Sequence, residues 1–182
     1  MYNVRMTSPD LRYPIGRFEM PATIIAERRE AAIDDIAALP GRMRAAVHGL
    51  ENEQLDTPYR PGGWTIRQVV HHVPDSHMNA LTRLKLALTE RAPAIKPYDE
   101  AAWARLADCR MPIEPSLAIL DGVHARWVAL LRALGPEDFG RTWVHPEFPD
   151  GPRTIEWLVQ QYAWHGRHHV AHVINLRTRE GW

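Results

Sequence analysis

The histidines of this chain are concentrated in two short segments whose spacing suits a metal ion. These segments hold seven of the ten histidines: His71, His72 and His77 in the first, and His165, His168, His169 and His172 in the second. Neutral imidazole is the commonest protein ligand for metals, and residues four apart on a helix project from one face. Two histidines from one helical turn and a third from another helix would leave one coordination position open, as in catalytic zinc sites. The segments therefore indicate a metal-dependent enzyme.

Spacing alone does not choose the ligands in the second segment. His168 and His172 are four apart, and so are His165 and His169. Either pair would place two imidazoles about 5–6 Å apart on one face. The apolar positions of this segment centre near the second pair, which does not settle the choice. Solvent-exposed or core histidines are the alternatives to metal binding, and we expect His124, as a lone core histidine, to bond a backbone carbonyl.

Polar side chains form a stripe along each of the two helices predicted to carry these histidines. The first stripe holds Gln68, His72, Ser76, Asn79 and Arg83, and the second holds Gln161, His165, His168, His172 and Arg179. Either stripe alone is more often a solvent-exposed face. Because both carry histidines near mid-helix, we expect them to line one cleft, as functional sites between the helices of bundles do.

Apolar periodicity and helix signals predict the elements that would position these stripes. The first helix begins at Ala22 and is interrupted at Pro40-Gly41, because proline lacks a backbone donor, and a shorter helix follows. The next helix begins after Thr65, which forms a capping box with Gln68, and ends before Pro93.

The second half of the chain alternates proline-rich connections with two further helices. Residues 92–115 are a connector with one short helix near Trp103. Ser116 begins a long helix that Gly135-Pro136 ends, and residues 136–153 are a loop rich in proline and glycine.

Thr154 caps the last helix, and residues 1–21 form an irregular N-terminal arm. No segment alternates convincingly like a strand. The prediction is an all-α four-helix bundle with long inter-helix loops, forming a single domain over residues 1–182.

The composition excludes several classes of function. The 22 basic residues balance the 22 acidic ones, so the chain lacks the positive charge typical of proteins that bind nucleic acid or an anionic membrane. No stretch approaches the ~20 apolar residues of a membrane span, and the N-terminus lacks the apolar run of a signal peptide. The one cysteine, Cys109, fits a reducing compartment. We therefore expect a cytoplasmic protein.

Two motifs of this chain resemble those of the DinB/YfiT family. They lie at residues 63–72, which read Gly-Trp-Thr-Ile-Arg-Gln-Val-Val-His-His, and at residues 164–172, which contain the second histidine segment. Shorter matches lie at residues 13–16, 55–60, 75–79 and 97–100. Members of the family are bacterial four-helix bundles described as metal-dependent hydrolases, and the bacillithiol-transferase-like members are the most similar by pattern.

The resemblance implies a particular set of ligands. In the family pattern a histidine follows eight residues after the tryptophan, which is His72, and the closing pair four apart matches His168 and His172. The resemblance implies one divalent metal ion per chain, which we expect to be zinc, with nickel as the alternative. It also implies a cytoplasmic homodimer. Pro74 departs from the family's small residue and predicts a kink that would change the aim of His72.

Such a site suits two reactions on a small-molecule substrate. With water in the open position, the pKa of that water can fall to about 7, which favours hydrolysis. With a low-molecular-weight thiol there, the ion would hold a thiolate, which favours S-transfer to small electrophiles. The ligands do not decide between a metal-dependent hydrolase and a thiol S-transferase, and a non-catalytic metal-binding module is the third interpretation.

The candidate catalytic residues adjoin the implied ligands and are Asp75, Ser76, Asn79 and His165. Metal-bound histidines usually donate their other N–H to a carboxylate or carbonyl, so Asp75 would orient an imidazole or serve as a base. An ordinary exposed helix carboxylate is the alternative for Asp75.

Overall fold

Four long helices account for half of the chain, as the apolar periodicity predicted. In the computed structural model, which describes residues 10–182, they are α1 (Ala26–Val47), α3 (Ile66–Thr89), α5 (Glu114–Arg132) and α6 (Ile155–Glu180). The shorter elements are α2 (Asn52–Leu55), α4 (Glu100–Trp103), 3-10 turns at Ala107–Arg110 and Pro136–Gly140, and strands β1 (Thr142–Trp143) and β2 (Arg153–Thr154). The prediction of an all-α four-helix bundle is confirmed.

The segments between the long helices are as the sequence predicted, except that a short two-stranded sheet is also present. Residues 10–21 contain no helix or strand, as predicted for the arm, and the first nine residues of that predicted arm lie outside the described part. The short helix near Trp103 is present as α4. The loop over residues 136–153 contains β1, which pairs antiparallel with β2 immediately before α6. No helix among residues 10–182 is long and apolar enough to cross a membrane.

Two apolar layers stacked along the bundle leave a polar layer between them. Helix α1 packs on α5 and α6, and α3 packs on the same two helices. One layer includes Ile33, Leu84, Trp127 and Leu158, and the other includes Met43, Val69, Leu120 and Val173. Along α3, α5 and α6 respectively, His77, His124 and His165 fall between the residues of the two layers. The middle of this bundle is therefore built from imidazoles.

The predicted break at Pro40-Gly41 is wrong, because α1 continues through both residues to Val47. A proline at position 40 cannot donate to the carbonyl of Ile36, four residues earlier. The Nδ1 atom of His124, from α5, lies 2.6 Å from that carbonyl oxygen and replaces the missing helix bond. The expectation that His124 bonds a backbone carbonyl is thereby confirmed.

The start of α3 is fixed by a cap and by a buried arginine. Thr65 accepts a bond from the Gln68 amide while the Gln68 side chain accepts one from the Thr65 amide, which confirms the capping box. The Arg67 side chain is buried and donates to Asp56 (2.6 Å) and to the Met111 carbonyl (3.2 Å). These bonds join α3 to the segments on either side of it and set the position of His72 one turn later.

Helices α1 and α6 approach closely at a glycine. A Cβ atom placed on Gly166 would lie 2.7 Å from Cδ2 and 3.0 Å from Cδ1 of Leu39, a buried side chain of α1. Gly122, which is also inside a helix, has open space around the same position. Of these two helical glycines, only Gly166 is therefore required by packing.

Alanine at these two glycines is expected to have opposite effects on the free energy of unfolding. Gly122→Ala should raise it by about 0.5–1 kcal/mol, because alanine is the better helix former. Gly166→Ala must displace Leu39 and should lower it by about 1 kcal/mol or more. Urea unfolding followed by circular dichroism measures both values. Equal stabilisation by the two substitutions would contradict the close packing of α1 on α6.

Candidate metal centre

Three histidines from two helices converge in the polar layer. His72 of α3 and His165 and His169 of α6 each offer a ring nitrogen, and these nitrogens all lie within 4.8 Å of one another. Within residues 10–182 no other group of three or more histidine, cysteine or acidic side chains meets this criterion. His72 and His169 are buried, and His165 is half-buried.

The spacing of two of these nitrogens suits a shared cation. Nε2 of His165 lies 3.2 Å from Nε2 of His169. Two ligands of a four-coordinate zinc ion at about 2.1 Å would be separated by about 3.4 Å. The ring nitrogen of His72 closes the group from the facing helix. An all-imidazole set of this kind fits a divalent transition metal.

The convergent group differs in two members from the set implied by the family resemblance. His72 belongs to it, whereas His168 and His172 lie outside it. The ring of His168 stacks on Trp164 with centroids 4.5 Å apart. The two histidine pairs on α6 are three residues apart, which corresponds to a rotation of about 60° around the helix.

His172 has other partners as well. Its ring stacks on Tyr59 at 3.9 Å, and its Nε2 atom lies 3.3 Å from the carbonyl oxygen of Arg12 in the N-terminal arm. His172 therefore contacts the loop before α3 and the arm. The other pair on α6, His165 and His169, faces His72.

Burial keeps the converging imidazoles uncharged. It lowers the pKa of His72 to about 4. Burial, followed by the neighbouring imidazoles, holds the pKa values of His165 and His169 far below the ordinary value of histidine. Neutral rings at pH 7 keep a lone pair on one nitrogen, which a metal ion requires.

The converging nitrogens border a cavity of about 400 Å³ with aromatic walls. Tyr59, Trp64 and Trp164 line it, and the Trp64 ring lies 4.6 Å from the His72 ring. Glu100, at the start of α4, supplies a carboxylate to the same cavity. Although Glu100 is exposed, partial desolvation at the cavity, followed by the nearby charges of Glu147 and Asp99, raises its pKa.

A second cavity of about 580 Å³ shares two of these residues. His165 and Glu100 border both cavities, and the second also contains Ser76, Arg83 and Tyr98. The Ser76 hydroxyl donates to the hydroxyl of Tyr162 at 3.4 Å. The two cavities therefore meet beside the candidate metal centre.

The other two predicted catalytic residues, Asp75 and Asn79, line neither of these two cavities. Asn79 donates its side-chain amide to the backbone carbonyl of Asp75, at 2.9 Å. Burial and then the negative charge of Asp108 raise the pKa of Asp75 to about 6. The pKa of Cys109 is raised by burial first, then by Asp108 and by Asp75. Asp75 therefore lies near the 3-10 turn at Ala107–Arg110, and its predicted role beside an imidazole has no contact to support it among the described residues.

Sequence reasoning missed a row of imidazoles behind His165. Nδ1 of His165 lies 3.1 Å from Nε2 of His77, and Nδ1 of His77 lies 2.9 Å from Nε2 of His124. His77 is fully buried and His124 is 2% exposed. The only sequence signal for this row was the presence of a histidine near the middle of three different helices.

The chain matches proteins of known family. Residues 35–173 match the model of the DinB superfamily. The chain is 51% identical over 173 residues to a Bacillus mycoides (strain KBAB4) protein named "Putative metal-dependent hydrolase", across 95% of this chain and 99% of that protein. A protein of the same description from Bacillus cereus (strain B4264) has the same identity and coverage.

The fold also matches a solved structure. YfiT from Bacillus subtilis, described as "a probable metal-dependent hydrolase with an unusual four-helix bundle topology", superimposes with a TM-score of 0.91. The two sequences are 46% identical, and the match covers 94% of this chain and 98% of that chain. Family model, sequence and fold agree over a region that includes all three converging histidines: the chain belongs to the DinB superfamily.

Proposed function

We propose that the protein is a metal-dependent hydrolase that binds one divalent cation through His72, His165 and His169. The observation that carries this proposal is the convergence of three neutral ring nitrogens within 4.8 Å at the wall of a cavity. The names of the relatives from Bacillus point to the same class of reaction. Zinc is the proposed ion and nickel the alternative, because imidazole suits both.

A divalent ion held by His72, His165 and His169 would supply a Lewis acid able to polarise a substrate carbonyl and to lower the pKa of bound water. Three neutral imidazoles leave its positive charge uncompensated. Glu100 borders the same cavity and has a raised pKa, so its carboxylate is the proposed acceptor for a proton of the attacking water. The aromatic rings of Tyr59 and Trp64 would cover the substrate and limit the entry of further water.

The cavities favour a small-molecule substrate. Each has a volume of several hundred cubic ångströms, which is typical of sites for such molecules. Because both border His165 and Glu100, a substrate with groups on both sides of the reacting bond would extend from one cavity into the other. We propose that Ser76 contacts the part in the second cavity.

Metal content distinguishes the two possible pairs on α6. Protein purified without a histidine tag or added metal is expected to contain about one equivalent of metal by elemental analysis. His169→Ala should lose most of it, because it removes one of two nitrogens only 3.2 Å apart. His168→Ala is the matched control on the same helix and should keep it. Loss in His168→Ala with retention in His169→Ala would instead support the ligand set implied by the resemblance.

Turnover by the metal-loaded protein tests the reaction class. We expect hydrolysis of generic esters or amides without added thiol, and at least a ~100-fold lower rate in His72→Ala. Glu100→Gln should lower the rate while leaving the metal content unchanged, since it removes only the proposed proton acceptor. Turnover that requires a small thiol would indicate an S-transferase, and tight metal binding with no turnover would indicate a binding module.

Acid is expected to destabilise the metal-free protein. Burial lowers the pKa of His72 and His124 to about 4, below the 6.5 of an unperturbed histidine. Between these values the unfolded chain binds more protons than the folded one, so the free energy of unfolding falls as the pH falls. Each such histidine contributes up to about 1.4 kcal/mol per pH unit.

Urea unfolding of the metal-free protein at several pH values between 7 and 4.5 measures this dependence. His124→Gln should reduce the slope, whereas His48→Gln, which changes an exposed histidine, should leave it unchanged. A free energy of unfolding that stays constant across this range would contradict the burial of neutral imidazoles.

A further inference from the structure

A continuous row of hydrogen bonds links the candidate metal centre to the backbone of α1. It runs from His165 of α6 to His77 of α3 (3.1 Å), then to His124 of α5 (2.9 Å), and ends at the carbonyl of Ile36 in α1 (2.6 Å). The row thus includes all four long helices of the bundle. Its two inner rings are shielded from water, with 0% and 2% of their surface exposed.

The far end of the row fixes the direction of its bonds. A backbone carbonyl only accepts hydrogen bonds, so Nδ1 of His124 must carry the proton and donate to Ile36. The opposite arrangement would place two unprotonated acceptors 2.6 Å apart in a dry interior. The carbonyl is free to accept because Pro40 has no N–H to offer it.

Each neutral imidazole has one donor and one acceptor nitrogen. The direction of the first hydrogen bond therefore fixes the direction of each following bond in the row. With its proton on Nδ1, His124 presents an unprotonated Nε2, which accepts from Nδ1 of His77. Nε2 of His77 then accepts from Nδ1 of His165. The remaining nitrogen of His165, Nε2, is left with a free lone pair, and this is the atom 3.2 Å from Nε2 of His169.

We propose that His77 and His124 are positioning residues, which, together with the Ile36 carbonyl left free by Pro40, hold His165 as the Nδ1–H tautomer with its Nε2 lone pair aimed at the candidate metal centre. The metal-binding part of this proposal rests on the proposed function, whereas the tautomer does not. The row ends at a carbonyl that cannot take up or release a proton. It therefore orients the ring and does not conduct protons away from the site.

The tautomer is measured directly on the metal-free wild-type protein. Long-range proton–nitrogen NMR spectra of protein labelled with ¹⁵N-histidine assign the protonated nitrogen of each ring. We expect the proton on Nδ1 in His165, His77 and His124. A proton on Nε2 of His165 would overturn the proposal, whether or not the protein binds metal. Because this measurement needs no variant, it does not depend on the folding of altered chains.

Remote substitution tests whether the row affects metal binding. His124→Phe removes both bonds of a ring that lies two links away from His165, and should raise the Kd for zinc by about 10–100-fold in a chelator-competition titration. The tautomer of His165 should become mixed in the same variant. His124→Gln keeps one donor and one acceptor and should restore most of the affinity.

His71→Phe is the matched control, with the same change from imidazole to phenyl. His71 is also buried on α3 and is hydrogen-bonded to Ser116 (2.7 Å) and to the Met111 carbonyl (3.2 Å), but it is not part of the row. The His71→Phe variant should have a lower free energy of unfolding than the wild type and a zinc Kd within about twofold of the wild-type value. An unchanged Kd in His124→Phe, or an equal loss in His71→Phe, would overturn the positioning role. Absence of zinc binding by the wild type would instead refute the proposed function.

Discussion

The burial of uncharged imidazoles at the centre of the bundle is the constraint on which the rest of the structure depends. A buried ring nitrogen without a partner costs about 1–3 kcal/mol, so each ring placed there needs a bond or a ligand. The fold meets this need by pairing His77 with rings on two neighbouring helices and by ending the row on a carbonyl. Beyond the row, Nε2 of His165 and Nε2 of His169 have only each other as partners, 3.2 Å apart and close to a ring nitrogen of His72. The same burial keeps these nitrogens unprotonated at neutral pH and therefore available to a cation.

Local chemistry was sufficient to predict the frame of the bundle. Thr65 and Thr154 cap their helices through bonds to residues three positions later, so the signal lies within a few residues of sequence. The prediction that α1 is interrupted was wrong because the contact that matters there is not local. The donor that compensates for Pro40 comes from His124, and no local rule connects two residues so far apart in the chain. A proline in a helix is tolerated where another helix supplies the missing bond.

The choice of histidines on α6 depended on the rotation of that helix, which the sequence pattern does not state. Gly166 faces Leu39 of α1 and so marks the side of α6 that enters the bundle. Measured from that glycine around the helix, His165 and His169 lie at roughly 60–100°, whereas His168 and His172 lie at roughly 120–160°. The apolar positions of the segment, which centre near His169, and this glycine were the two sequence signals that pointed to the inner pair. The homodimer and the cytoplasmic location implied by the resemblance stay predictions.

Residues 10–21 of the N-terminal arm form part of the surroundings of the candidate centre, although they contain no helix or strand. The Arg12 carbonyl bonds His172, and the Gly16 carbonyl accepts from the indole of Trp164, so both rings lie between the arm and the cavity. Removal of the chain up to Gly16 would therefore take two contacts away from a cavity wall while leaving all three converging histidines in place.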